Sequence, residues 1–164
     1  MSRLVFEEKY QVHWLPDGVS APLWPTTAEI DAGTEITDFI PKDGIKFGVS
    51  NDRVDAGSIA TAFKAESMGT YGAQVAITAF HDDETDTAWD LFKLRLTEGA
   101  LVVLPYIGKD VEVEAGQRAI VFPDLETGIP VPMDPATNER QKFTVDFAMT
   151  NRDPQFAAEV VDPT

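Results

Sequence analysis

Gln141-Lys142-Phe143-Thr144-Val145-Asp146-Phe147-Ala148-Met149-Thr150 alternates apolar and polar side chains more cleanly than any other stretch of the chain. Phe143, Val145, Phe147 and Met149 share one side, and Lys142, Thr144, Asp146 and Ala148 share the other. That is the period of a strand with one face in a core. Tyr71 to Phe80 repeats the pattern, with Ala73, Val75, Ile77 and Ala79 set against Gln74, Ala76, Thr78 and Phe80. Ile45 to Val54, after the turn Asp43-Gly44, and Arg118 to Phe122, closed by Pro123, read as further strands. Leu101-Val102-Val103-Leu104 is a continuous apolar run between Gly99 and Pro105, as a buried strand requires. Working outward, Leu4 to Leu15 alternates in part, with Val12 and Trp14 on one side, before the turn Pro16-Asp17-Gly18. Thr34 to Ile40 sets Ile36 and Ile40 two strand periods apart, and Ala157 to Val161 makes a last edge strand. With 11 Gly and 11 Pro punctuating short apolar runs, the chain reads as mainly β.

One helix stands out, at about 86–98. Thr85 or Thr87 can cap it, Asp86 and Asp90 suit its first turns, and Gly99 ends it. Ala88, Leu91, Phe92 and Arg95 fall on one side of it. Ser58 to Glu66 is Ala-rich and fits strand or short helix equally. Pro22 to Pro25 does not suit a central strand. The expected organisation is a single domain over 1–164, with an extended N-terminal arm at about 1–25 and loops at 41–53 and 124–138.

Asp and Glu number 28 against 13 Lys and Arg, a net charge of −15. Such a chain does not grip DNA or RNA by neutralising phosphates, and it avoids anionic membranes. The absence of cysteine excludes disulfides, Cys-ligated metal and thiol catalysis. No run approaches the roughly 18 apolar residues of a membrane helix. The first residues lack the apolar region of a secretory leader, so synthesis in a cytoplasm is expected.

Chemical motifs fail on inspection. Asp82, Glu84 and Asp86 match the first ligands of a calcium loop, but Thr87 and Lys93 stand where that loop needs Gly and Glu. Acidic residues at a helix N-terminus explain the cluster more simply. Ala65-Glu66-Ser67-Met68-Gly69 lacks the first glycine of a nucleophile elbow. His13 and His81 are too few for a His-rich metal site. No cofactor and no enzymatic activity are expected.

The order of parts carries a resemblance. His81-Asp82-Asp83-Glu84-Thr85-Asp86 leads into the helix, then Gly99 to Tyr106, then Ala115-Gly116-Gln117-Arg118-Ala119-Ile120-Val121-Phe122-Pro123, a loop, and the strand from Gln141. With Pro25 to Thr37 near the front, this resembles the major tail (tail tube) proteins of long-tailed siphophages, particularly those of actinobacterial hosts. The resemblance implies a β-sandwich or barrel with one flanking helix, related to the type VI secretion tube protein. It implies hexameric rings stacked into a hollow tube around a tape-measure protein, ended by terminator and baseplate or tip proteins, and a place in the virion. DNA would pass through without specific binding. On that reading Asp52, Asp55 and Asp146 are the acidic candidates for the lumen, and Asp43, Lys46, Asp124, Glu126 and Asn138 mark candidate stacking loops. Other readings are a tail terminator, a head–tail joining protein, a decoration protein, or a carbohydrate-binding sandwich using Trp14, Trp24 and Tyr71.

Overall fold

The computed structural model describes residues 9–60 and 62–164. Nine strands form one sheet: β1 (Tyr10–Leu15), β2 (Thr34–Glu35), β3 (Ile45–Asp55), β4 (Glu66–Phe80), β5 (Glu98–Pro105), β6 (Arg118–Thr127), β7 (Val131–Pro132), β8 (Lys142–Met149) and β9 (Gln155–Glu159). The main path runs β2-β1-β5-β6-β8-β4-β3, with β7 on β8 and β9 on β6, and its ladders are antiparallel. The described residues also form two short α-helices, α1 (Thr27–Ala32) and α2 (Thr87–Phe92).

The sheet folds over on itself. Trp14 of β1 meets Phe147 of β8 at 5.6 Å between ring centroids, although two strands separate them in the sheet. Between the halves lie Val12, Leu101, Val103, Phe122, Val145, Phe143, Ile77 and Val75, all buried, with Phe92 of α2 wedged edge-on against Trp14. The opposite face of β5, with Ala100, Val102 and Leu104, is covered by Ile30 of α1, Ala158 of β9 and Val160. β5 is therefore buried on both sides, as its unbroken apolar run requires. A bulge in β6 near Pro123 makes the fold-over possible: register shifts between Leu101↔Phe122 and Gly99↔Leu125, and β6 pairs with β9 before it and β8 after it. Proline, which has no N–H for the ladder, is tolerated at such a point. The corner is clamped by Arg152, whose Nε and Nη2 bond both oxygens of Asp124 at 2.8 Å while Nη1 reaches Val19 O at 2.8 Å. The guanidinium holds the Asp124 carboxyl below its ordinary range.

Several sequence expectations are corrected. The strand expected to end at Pro123 continues to Thr127, so Asp124 and Glu126 lie in the ladder and the loop expected over 124–138 begins later and includes β7. The helix expected over 86–98 stops at Phe92, and Gly99 lies inside β5 and does not end a helix. No side chain caps α2: Asp86, at φ 40°, accepts from the Asp82 N–H and meets His81 Nδ1 at 3.0 Å. Thr34 to Ile40 is strand for two residues only and then a 3₁₀ turn, Thr37–Phe39, which turns Ile36 into the core. Of the expected arm at 1–25, residues 10–15 are strand with Trp14 buried, and 1–8 lie outside the described residues. The expected loop at 41–53 is strand from Ile45 onward. Of the stretch 58–66 expected as strand or short helix, residues 58–60 and 62–65 form neither.

α1 was missed, though Thr26-Thr27-Ala28-Glu29 spells its start. Thr26 Oγ1 accepts from the Glu29 N–H and Glu29 Oε2 accepts from the Thr26 N–H, both at 3.1 Å. Burial opposes ionisation of Glu29, yet these bonds and one from Ser20 hold its carboxyl below the usual range.

Two positions set stability. A Cβ on Gly99 would lie 2.4 Å from Cζ2 of the buried Trp14, whose ring is boxed in by Phe92 and Phe147. Gly99→Ala therefore costs about 1–3 kcal/mol by overpacking, read as a lower urea midpoint; an unchanged midpoint contradicts the packing. His13 is 6% exposed, and its tautomer follows from Gln11. Gln11 Nε2 donates to Gly108 O and Val111 O, so its Oε1 accepts from His13 Nε2 at 2.8 Å. His13 Nδ1 is then a bare acceptor, with no partner among the described residues. Burial lowers the His13 pKa, against the opposing pull of Glu35 and Asp31. The unfolded chain thus takes the proton more readily. Stability is complete above the ordinary value of 6.5 and is lost as pH falls through the folded value. Compared with His13→Gln, the wild type loses urea resistance as pH falls below 6.5; a difference independent of pH contradicts this.

Candidate assembly surface

β3 and β4 are 11 and 15 residues long, against about 5–6 for an ordinary strand. They outrun the core they help build. Ile45↔Ile77, Phe47↔Val75, Val49↔Ala73 and Asn51↔Tyr71 are paired, and these residues share the face turned to the core. Val75 and Ile77 are buried, and Phe47 rests on Phe122 and Phe156 at 5.8 and 6.1 Å. Outward from there cover fails: Phe47 is 42% exposed, Val49 45%, Tyr71 52% and Met68 71%. Tyr71 bonds Asp153, which raises its pKa. The same apolar face thus begins as core and ends in solvent.

The opposite face is polar and built of small residues. Lys46, Gly48 and Ser50 of β3 lie beside Ala76, Gln74 and Gly72 of β4, and Thr78 and Ala76 lie beside Thr144 and Asp146 of β8. The Thr78 and Thr144 hydroxyls bond at 3.2 Å. A shallow depression of about 470 Å³ opens over Gly48 and Ala76, between Lys46, Gln74 and Asp146. A bulge lies opposite Asp52, where register shifts from Asn51↔Tyr71 to Arg53↔Met68, and Thr70 Oγ1 donates to Asp52 at 2.8 Å. Alternation along β3 then puts Asp52 with Lys46 and Asp146 on the polar face, and Asp55 on the apolar one. The three acidic candidates therefore do not share a face.

Of the residues singled out for stacking, Asp43 is exposed in the turn before β3 and Lys46 is exposed on the polar face. Asp124 is bound to Arg152, Glu126 is a ladder residue opposite Glu98 and Ala148, and Asn138 is exposed at φ 65°. The sequence reading passed over the arm's outer part. Val54, Ile59 and Phe63 are exposed there, Phe63 by 79%. Strand length was the available signal, because an arm this long cannot be covered by one small domain.

The acidic turn before α2 is structural. His81 lies between Trp89 and Phe143 at 5.1 and 5.0 Å. No group of three metal-ligating side chains is gathered among the described residues, and no helix there is long and apolar enough to cross a membrane. Trp14 is 1% exposed, which removes it from any sugar-binding surface.

Comparison with known proteins bears on this geometry. A search of curated proteins finds no match. Among solved structures, a chain of the cryo-EM structure of the anti-feeding prophage (AFP) baseplate, 6-fold symmetrised, is similar in fold. The TM-score is 0.59 at 9% identity, over 96% of this chain and 98% of that one. The family model described as phage tail tube protein matches residues 5–162. The chain belongs to the phage tail tube protein family, a structural family of the phage tail and not a family of enzymes.

Proposed function

We propose that this chain closes into hexameric rings that stack into the hollow tail tube of a long-tailed phage, around a tape-measure protein and later around passing DNA. The observation that carries this reading is the β3–β4 arm, whose core face continues into solvent. A two-stranded ribbon is marginal alone in water, so an arm of this length needs another surface to lie on. A second copy supplies it. Charge favours the same contact: the segment 45–80 holds three Lys or Arg and three Asp or Glu, so the whole excess of −15 lies outside it. A neutral, half-apolar arm docks on an acidic neighbour without the repulsion that two acidic bodies would meet. The six-fold symmetry of the prophage assembly supports rings of six.

With the apolar face against a neighbour, the polar face is left for the bore. Asp52 and Asp146 then stand on the wall, among Gly48, Ser50, Gly72, Gln74, Ala76 and Thr144. Lys46 and Lys142 share that wall, so its own charge is balanced. The negative potential in the bore comes from the total excess on the surrounding subunits, over a screening length of about 10 Å. Asp52 and Asp146 offset the lysines, and the small hydroxyl, amide and methyl groups between them add no cation for DNA to hold. Terminator and baseplate or tip proteins would meet the open ends of the stack, in a virion assembled in the host cytoplasm.

Electron microscopy of concentrated wild-type protein tests the reading. Hollow rings with six-fold end views, and tubes built from them, are expected. Protein that stays monomeric at all concentrations and salt conditions contradicts it, and single rings that never stack point to a tail terminator.

A further inference from the structure

The loop 106–117, which joins β5 to β6, lies on the sheet through two buried apolar anchors, Ile107 and Val113. Two of its residues, Tyr106 at φ 73° and Asp110 at φ 57°, hold left-handed backbone without being glycine. Such strain persists only where the surroundings impose it. Here two side chains of the sheet do so. Gln11 of β1, only 1% exposed, donates its amide hydrogens to the carbonyls of Gly108 and Val111, at 2.6 and 2.8 Å. Glu35 of β2 accepts from the Asp110 N–H at 3.4 Å and from the Thr37 hydroxyl at 3.0 Å, on the same oxygen. His13 is joined to both of these residues: its Nε2 bonds Gln11, and Glu35 is its partner in the ladder.

We infer that His13 is the pin of a proton-operated latch, which keeps the loop 106–113 on the sheet while its imidazole is neutral and frees the loop when the imidazole takes a proton. The inference goes beyond the tube reading and does not rest on it. The neutral ring suits the closed loop. Its Nε2–H fills the Gln11 carbonyl oxygen, which commits both Gln11 amide hydrogens to loop carbonyls. A proton on Nδ1 turns a bare acceptor into a buried cationic donor with no partner among the described residues. Burial opposes that proton, so the closed loop favours the neutral ring.

The charges that act on the ring are carboxylates, Glu35 on β2 and Asp31 on α1. β5 sets the uncharged Val102 opposite it, and β1 contributes Gln11. The loop's own charges are engaged elsewhere: Lys109 bridges Asp38 and Asp110, and Glu112 and Glu114 are exposed. An imidazolium that bonds Glu35 draws this carboxylate from the Asp110 N–H, or turns its ring away from Gln11. Either movement removes a tie of the loop. The turns at Tyr106 and Asp110 then relax outward about Ile107 and Val113. Asp38, which Lys109 holds, lines the cavity beside Phe80, so the latch works at the end of the subunit away from the arm.

Hydrogen exchange of the full chain, corrected for the pH dependence of free amides, tests the latch. In the open loop His13 titrates at its ordinary value of 6.5, so opening grows toward tenfold for each pH unit below that value. From about pH 7.5 to about 5.5, protection over 106–113 falls about tenfold, while β5 keeps its protection. His13→Gln still offers Gln11 a donor and has no proton to gain, so its protection stays level. Gln11→Leu leaves the loop open at both ends of the range. Glu35→Gln removes a charge that draws the proton, and the transition moves to lower pH. A wild-type loop equally protected throughout, a loss just as large in His13→Gln, or a loss that reaches β5 at the same pH overturns the latch. None of these readouts depends on whether tubes form.

Discussion

An apolar sheet face longer than the core that covers it is the constraint on which the rest depends. β4 enters the protein as an ordinary core strand, with Ala79, Ile77 and Val75 buried against β8 and the folded-over sheet. Among the described residues, nothing covers the same face beyond Phe47 and Tyr71. Burial of apolar surface is the main favourable term in folding, at about 25 cal/mol per Å². A ribbon with its apolar side in water forgoes that term and keeps the entropic cost of order. Such a segment is stable through association, and that places the molecule among structural subunits.

The remaining elements serve to hold this strand pair firmly at its root. Trp14 against Gly99, Phe92 and Phe147 locks the two halves of the sheet, and the Pro123 bulge with the Arg152–Asp124 clamp fixes the corner where β6 changes partner. Phe47, Phe122 and Phe156 close the base of the arm. A projecting lever needs a rigid mount, and the mount here is aromatic. The division of charge follows the same plan, with a neutral arm on a strongly acidic body.

Much of the fold was legible because period-two alternation is a local signal. Phe143, Val145 and Phe147 are buried as the pattern requires, and so are Val75, Ile77 and the run at Leu101 to Leu104. Where reading failed, a distant contact had overruled a local one. Gly99 looks like a helix stop, but it is glycine because the Trp14 indole leaves no room for a Cβ. Pro123 looks like a strand end, but the bulge absorbs its missing N–H. Leu94 and Leu96 look helical, yet the Leu96 N–H and Leu94 carbonyl are taken by Thr127. The start of α1 is itself a local signal, since its capping box is written in four residues, Thr26 to Glu29. The candidate surface was half legible. Asp52 and Asp146 lie on one face, and Asp55, three residues along the same strand from Asp52, falls on the other by alternation alone.

Hydrogen exchange followed from dilute to concentrated protein tests the central claim most directly, because it reports where backbone order depends on neighbours. The account predicts that amides of 48–55 and 66–73 exchange quickly in the free subunit and become protected on assembly, while those of β5 are protected throughout. Equal protection of the arm in both states, or protection gained elsewhere while the arm stays open, would contradict it.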